Sequence, residues 1–403
     1  MMSKFAFFCT GDTSYKTLGG YLNFFFLLFL AFKNKINMKL KTSIAFHSFE
    51  LAYLVVLAIL PFIAAIKIVA TILVSFLLLC SLLALIKKLT KRCISMNGQT
   101  VVISGCDTGF GHALVKRLDY LGFTVVAGCL DNKGDGAEIL RKWSDSGRIH
   151  VVQLDVTSDQ SVASLHTYVQ KLSPDGVWAL VNNAGVNFVG DIEFSTMEQF
   201  KRVAEVNQFG VIRLTKAILP LVRKCKGRVI NVTSAEGRIC LPSYSVYGST
   251  KYAVESFSDC LRLEMRKFGV GVIIIEPGDY AGTTGMLSAK SLHKLRKEMD
   301  TMWGNASEEV KSVYGKDYFD AVYAGTVEAA KNAAKTTGLV IDSLEDAVTN
   351  THPRIRYLVD GSCKLIDVNN WLVRIRSVIP DSWLDFVLDF KYNRRLPPVA
   401  EKL

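Results

Sequence analysis

A chain of 403 residues, half of them hydrophobic, has room for one large catalytic domain and a further segment. Its net charge of +11 is concentrated at one end. Residues 1–92 hold 11 Lys/Arg against two acids, Asp12 and Glu50, and the rest is close to neutral, which argues against a nucleic-acid-binding face. The nine cysteines are dispersed with no Cys-x-x-Cys, so neither a zinc site nor a disulfide framework is indicated and no metal is expected.

The first elements are apolar. Residues 21–32 form a run of 12, too short to span a bilayer alone. Residues 51–86 form a much longer stretch, divided by Lys67. Residues 68–86 give 19 positions without charge, enough to cross a hydrocarbon core. Residues 51–66 contain Pro61 and either span, if extended back past Glu50, or re-enter. Lys33, Lys35, Lys39 and Lys41 precede the stretch, and Lys87, Lys88, Lys91 and Arg92 follow it. Basic flanks on both sides predict a hairpin of two helices, about 44–66 and 68–86, with both ends cytosolic. Region 1–92 is therefore expected to anchor the chain in a lipid membrane; a buried core helix is the alternative for 68–86. The stretch is too long and too late for a cleaved signal peptide, and the first arginine is Arg92, so no arginine-rich transit peptide precedes it.

Beyond Gly98 apolar strands alternate with helical stretches, the pattern of a doubly wound parallel sheet. The β-branched run 100–104 leads into Gly105, Gly109 and Gly111, and a helical pattern follows. Strand, glycine turn and helix in that order suit a pyrophosphate, which needs close backbone approach and a helix N-terminus. The spacing is Gly-x-x-x-Gly-x-Gly, and an ordinary glycine turn is the competing reading. The next strand, 123–130, ends at Asp131, 20 residues beyond Gly111. An acid there can accept hydrogen bonds from an adenosine ribose and repel a 2′-phosphate, favouring NAD over NADP; it can equally be a turn aspartate before Asn132-Lys133-Gly134. Asp155 follows the strand 151–154, and Asn183-Ala184-Gly185 follow the apolar pair Leu180-Val181.

Ser234 closes the strand 228–233, and Tyr247 and Lys251 come 13 and 17 residues later. Four residues apart on a helix, Tyr247 and Lys251 share a face. An ammonium beside a phenol stabilises the phenolate, which predicts a tyrosine pKa below its ordinary value and a side chain able to exchange a proton with a substrate oxygen. Alone, the pair also fits a solvated helix face. Pro277-Gly278 end the strand 272–276. From 279 to 338 the pattern becomes helical and loop-rich, as a substrate lid would. Met286, Met299, Met302, Trp303, Tyr314, Tyr318 and Phe319 either line an apolar pocket or pack the lid helices together. His293 and Arg296 are the candidate anchors for a substrate carboxylate. Residues 361–403 form an apolar tail with interleaved basic residues, suited to a membrane surface or to packing on the domain.

The ordered set Gly105, Gly109, Gly111, Asn183-Ala184-Gly185, Asn207, Ser234, Tyr247-x-x-x-Lys251 and Pro277-Gly278 resembles the short-chain dehydrogenase/reductase family, over about residues 98–284. Shorter stretches, among them Gly105-Cys106-Asp107-Thr108-Gly109-Phe110-Gly111, are similar to the branch of 17β-hydroxysteroid dehydrogenase type 2, retinol dehydrogenases and D-3-hydroxybutyrate dehydrogenase. The resemblance implies a Rossmann-type α/β domain over 98–360, with seven strands and the last near 354–359. It implies a catalytic set of Asn207, Ser234, Tyr247 and Lys251, with Tyr247 as general acid/base, Ser234 holding the substrate oxygen, Lys251 tuning the tyrosine and binding the nicotinamide ribose, and Asn207 holding a relay water. It also implies cofactor contacts from Gly105, Gly109, Phe110, Gly111, Asp131, Asp155, Val156, Asn183, Ala184, Gly185, Pro277 and Gly278, and from Thr283 or Thr284. The expected activity is hydride transfer between NAD and a lipophilic secondary or allylic alcohol, steroid- or retinoid-like, at an endoplasmic reticulum membrane with the domain in the cytosol. Oxidation of D-3-hydroxybutyrate at a mitochondrial membrane is the alternative, and a silent NAD-binding scaffold is the alternative of another class. Self-association into a homo-oligomer, through helices around 207–222 and 247–265, is implied by the resemblance alone.

Overall fold

The computed structural model describes residues 42–89, 98–143, 145–363, 366–393 and 396. The chain divides after Thr90 into two compact units. In the first, helix α1 runs from Thr42 to Leu89, 48 residues without interruption, or about 72 Å at the helical rise per residue. Its portion Glu50–Leu83 is long and apolar enough to cross a membrane, and none of it is buried against protein. This corrects the expected hairpin of two helices. No glycine occurs between Thr42 and Leu89, and Ile66-Lys67-Ile68 offers no turn chemistry. Pro61 is accommodated within the helix, and Lys67 is a good helix former that takes an exposed position. The run 21–32, the flank from Lys33 to Lys41, and Lys91 and Arg92 lie outside the described residues.

The second unit is built on a seven-stranded, wholly parallel sheet in the order β3-β2-β1-β4-β5-β6-β7. The strands are β1 (Thr100–Ser104), β2 (Thr124–Cys129), β3 (Ile149–Gln153), β4 (Ala179–Asn182), β5 (Arg228–Val232), β6 (Gly271–Pro277) and β7 (Arg356–Val359). The expected α/β doubly wound fold and seventh strand are both present. β1 is buried along its whole length, as a parallel strand covered on both faces must be. Alternation sorts its side chains: Val101 and Ile103 enter one core and Val102 the other.

Helices α2 (Gly109–Tyr120), α3 (Asp135–Arg141) and α11 (Gly338–Thr349) cover the first face, placing Leu114, Leu118, Leu140 and Leu344 against it. Helices α4 (Asp159–Leu172), α6 (Gly210–Lys224) and α7 (Ser245–Met265) cover the second with Leu165, Leu214, Ile218 and Leu261. Helix α5 (Met197–Ala204) runs into α6 through a π turn, Glu205–Phe209. Strand order reverses between β1 and β4, and the crevice outside their C-terminal ends is where open α/β sheets bind ligands.

The segment 279–338 folds as α8 (Ala289–Asn305), α9 (Glu308–Tyr314) and α10 (Lys316–Asn332). Met299, Met302 and Phe319 are buried with Phe188 and Phe194, and Trp303 and Tyr314 pack against them, so most of the lid's apolar residues hold the lid together. The tail forms α12 (Val368–Ile375) and α13 (Asp381–Lys391). Leu372, Val373, Leu384 and Leu388 are buried against Ala235, Ile239 and Leu241; Trp371 and Trp383 stay exposed. The tail thus packs onto the domain, and Arg394, Arg395 and residues 397–403 lie outside the described residues.

Candidate active site

The glycine loop begins where β1 ends. Gly105 has a left-handed backbone, φ +70°, and a Cβ there would lie 2.7 Å from the Ala184 Cα. A Cβ on Gly111 would overlap the Gly105 carbonyl oxygen and approach Asn183 Nδ2 to 2.6 Å. Both contacts tie the loop to the end of β4. Asn183 Nδ2 donates to the Ser104 and Gly105 carbonyls at 2.9 Å each, and Ser104 Oγ accepts the Asn183 and Ala184 amides at 3.1 Å. Asp107 fastens the other side: its carboxylate accepts the Leu130 and Asp131 amides at 2.9 Å each. The Thr108 side chain caps nothing at the start of α2, so its first amides are left for a ligand.

Loop residues Gly105, Gly109 and Phe110 line a cavity of about 600 Å³, together with Asn183, Ala184 and Gly185. Ser234, Tyr247, Lys251, Pro277 and Gly278 reach the same cavity. Of the two threonines, Thr284 lines it; the Thr283 hydroxyl turns back to the Tyr280 carbonyl at 3.1 Å.

Other candidates stand apart. Asp131 is exposed and accepts the Lys133 amide at 3.1 Å, as a turn aspartate does. Asp155 accepts the amide and hydroxyl of Thr157 at 2.9 and 2.7 Å, while Val156 belongs to the core. His293 is exposed. Arg296 is engaged by Asp300 and Asp320, each at 2.9 Å. Neither joins the cavity wall, so the two expected carboxylate anchors are not in position to act there.

Tyr247 is 7% exposed and Lys251 4%. Lys251 Nζ lies 5.5 Å from the centre of the Tyr247 ring and donates to the Val232 carbonyl at 3.1 Å. Burial lowers the Lys251 ammonium to about 8, against the opposing pull of Glu236 and Glu255. Burial, then the charge of Glu236, pushes the Tyr247 phenol above its ordinary value, and the Ser234 hydroxyl pulls the other way. The expected net lowering is thus reversed: desolvation of the phenol outweighs the pull of the Ser234 hydroxyl.

Asn207 sits in the π turn, a distortion common at functional sites. Its Oδ1 accepts the Val186 amide at 2.8 Å, and its Nδ2 donates to the Val186 carbonyl at 2.9 Å and to Thr250 Oγ1 at 3.1 Å. It therefore locks the loop after β4 to the tyrosine-bearing helix, behind the cavity wall. Wall residues unmarked in the sequence reading include Glu236, Tyr244, Asn369 and Tyr392. Position 236 follows the expected serine by two, a signal within reach. Asn369 and Tyr392, more than a hundred residues away, carried none. Cys106 and Cys129 are buried near the loop, and burial raises both thiols, Cys129 to about 12, which keeps them protonated and inert.

Comparison with known proteins matches this arrangement. Residues 99–294 fit the family model for short chain dehydrogenase. The chain is 40% identical to a mitochondrial D-beta-hydroxybutyrate dehydrogenase of Rattus norvegicus, over 66% of this chain and 78% of that one. It is 39% identical to 17-beta-hydroxysteroid dehydrogenase type 6 of Homo sapiens, over 72% and 87%, and 39% identical to retinol dehydrogenase 7 of Mus musculus, over 66% and 81%. The fold of a solved short-chain dehydrogenase from Streptomyces avermitilis superposes with a TM-score of 0.53 at 23% identity, covering 74% and 99% of the two chains. Seven parallel strands, a glycine loop facing a serine, tyrosine and lysine across one cavity, and these relatives over most of their length lead to one assignment: the chain belongs to the short-chain dehydrogenase family.

Proposed function

We propose that the protein is a membrane-anchored, NAD-dependent dehydrogenase of lipophilic secondary or allylic alcohols, steroid- or retinoid-like. The observation that carries this reading is the convergence of Ser234, Tyr247 and Lys251 on the cavity that also holds the glycine loop. The loop fits a dinucleotide: its glycines leave no room for side chains, and the start of α2 faces the cavity with amides free for a pyrophosphate. Gly105, Gly109, Phe110, Asn183, Ala184, Gly185, Pro277, Gly278 and Thr284 would hold NAD. Gly111 shapes the loop and Asp107 closes it, while Asp131, Asp155 and Val156 would serve the adenosine end. NAD, when bound, supplies the hydride acceptor.

The chain's own groups handle the proton. Ser234 orients the substrate oxygen and holds its developing charge. Tyr247 takes the hydroxyl proton as general base once its phenol is ionised. The raised phenol pKa makes that ionisation dependent on Lys251, whose ammonium lies over the ring, 5.5 Å from its centre, and would stabilise the phenolate. Asn207 fixes the helix that carries both.

The cavity wall supports a lipophilic substrate. Val186, Phe188, Val189, Leu241, Met286 and Leu295 contribute apolar surface. The lining cations among the described residues are committed: Arg202 pairs twice with Glu298 at 2.9 and 3.0 Å, Lys294 approaches the same carboxylate at 3.9 Å, and Lys251 bonds Val232. A hydroxy acid would find no cation waiting for its carboxylate. The relative that acts on D-beta-hydroxybutyrate keeps that substrate as the second reading.

Helix α1 supports the anchor, with region 1–92 in the membrane, the domain 98–360 carrying the site and the tail 361–403 packed on it. A cytosol-facing domain at the endoplasmic reticulum goes with a lipophilic substrate in this proposal; a mitochondrial membrane goes with the second reading. A homo-oligomer through helices around 207–222 and 247–265 belongs to the same proposal.

The test is NADH formation by the detergent-solubilised chain with estradiol, retinol and D-3-hydroxybutyrate side by side. Turnover of a lipophilic alcohol is expected, and Tyr247→Phe is expected to lower it by about 10²–10⁴-fold. Turnover of hydroxybutyrate alone would replace this reading with the second. A fully active Tyr247→Phe would refute the assigned chemistry.

A further inference from the structure

A carboxyl group stands inside the site with nothing to bind. Glu236 belongs to the short 3-10 turn Ala235–Gly237 that follows Ser234, and its backbone amide donates to Ser234 Oγ at 3.2 Å. Its side chain lies on the cavity wall. Oε2 is closed off from solvent and has no hydrogen-bond partner. The groups that face it come from three elements: Tyr244, Tyr247 and Lys251 around helix α7, Asp279 after β6, and Tyr392 after α13. Lys251, Tyr392 and Asp279 are engaged elsewhere. Lys251 bonds the Val232 carbonyl at 3.1 Å, Tyr392 the Asn369 side chain at 3.0 Å, and Asp279 the Ala281 amide at 3.3 Å.

An unpartnered buried carboxyl oxygen is costly to keep, and such a group in a binding cavity is satisfied when a ligand brings the missing partner. Glu236 stands two residues past Ser234 and lines the same cavity, so a substrate held at that serine is the ligand placed to bring the missing partner.

We propose that Glu236 reads the substrate: its free carboxyl oxygen pairs with a second hydrogen-bond donor of the alcohol, a hydroxyl or an ammonium carried a few bonds from the reacting carbon. The substrate class is thereby narrowed from lipophilic alcohols in general to lipophilic diols or amino alcohols. Glu236 and Asp279 together repel a carboxylate in that place. This inference rests on the dehydrogenase reading above and deepens it. Burial, reinforced by Asp279, raises the Glu236 carboxyl to about 8, so the protonated and ionised forms are both within reach near neutral pH: the first suits a hydroxyl, the second an ammonium.

Three probes decide the point: a long-chain secondary alcohol, the diol with a second hydroxyl on a nearby carbon, and the amino alcohol with an amine in that place. Affinity is measured by titration calorimetry on the full NADH-saturated chain, wild type, Glu236→Met and Glu236→Gln. The wild type is expected to prefer at least one donor-bearing probe over the monohydric alcohol. Glu236→Met is expected to reduce that preference by about tenfold or more. Glu236→Gln, nearly isosteric, is expected to keep a preference for the diol and to lose one for the amino alcohol, which tells the two donors apart and serves if the methionine variant does not fold. A wild type that binds all three probes alike, or preferences unchanged in both variants, would overturn the inference. Because binding is read directly, failure of the dehydrogenase reading shows separately, as absence of NADH formation by the wild type.

Discussion

Arg356, on the last strand, is the place where one substitution has a calculable effect on the element that carries Tyr247 and Lys251. Its guanidinium meets Glu255 at 3.1 Å, Asp259 at 2.7 Å and Glu276 at 3.4 Å. The side chains of Glu255 and Glu276 are only 7% and 2% exposed. Removing one partner of a buried ion pair costs about 3–5 kcal/mol, because a charge stays behind without compensation. Here Glu276 keeps Arg238 at 3.0 Å and Glu255 keeps the Thr233 hydroxyl at 2.6 Å. Arg356 itself is 29% exposed, so water screens part of the loss. For Arg356→Met these points reduce the expected cost to about 2–3 kcal/mol, a melting-temperature fall of about 4–12 °C for a domain of this size.

The pH dependence gives the sharper check. Burial already raises the Glu255 carboxyl above its ordinary value, with Arg356 opposing the rise. Without Arg356 the folded-state pKa climbs further. A carboxyl raised by folding costs stability progressively as pH rises above its ordinary 4.5, so the penalty of the variant is larger at about pH 8 than at about pH 5.5. Thermal unfolding followed by tryptophan fluorescence at both pH values measures it. Glu255→Gln in the same chain is expected to recover most of the loss. A penalty unchanged between the two pH values, or a double variant no more stable than Arg356→Met, would refute the account.

Two further outcomes follow from the site. Gly111→Ala drives a methyl into the Gly105 carbonyl and Asn183; overpacking of this kind costs about 1–3 kcal/mol, expected as a tenfold or greater loss of NADH affinity by fluorescence titration, with unfolding affected far less. Glu236→Gln changes the pH profile of stability. The folded wild type keeps a proton on Glu236 that the unfolded chain releases between its ordinary 4.5 and about 8, so wild-type stability falls as pH rises through that window. The variant is expected to gain on the wild type over that range in thermal melts, and a constant difference would show that Glu236 is ordinarily acidic.

Much of the fold was legible because its signals are local. The β-branched run before Gly105, the glycine spacing and the Tyr247/Lys251 pair each lie within one element, and the resemblance needed only their order. What was missed depends on elements meeting from far apart. Tyr392 and Asn369 reach the cavity only because α12 and α13 bury Leu372 and Leu384 against the turn after Ser234. The phenol of Tyr247 was expected to be depressed because Lys251 is near in sequence, but the burial that decides the matter is set by the whole cavity wall. Asp107 makes the bonds that close the loop, and its partners Leu130 and Asp131 lie more than twenty residues on, after β2. Lys67 read as a divider on charge alone, although a helix without glycine passes through it.

The contribution of Asn369 and Tyr392 to the cavity has a consequence for how the molecule is made. A ribosome produces α1 first and the glycine loop soon afterwards, and domains fold in that direction as the chain emerges. The edge strand and the residues that finish the pocket come more than a hundred residues after Ser234 and Tyr247. Translation must therefore pass Tyr392 before a substrate can be enclosed, and a product stopped before Asn369 would carry the reactive serine, tyrosine and lysine in an unfinished chamber.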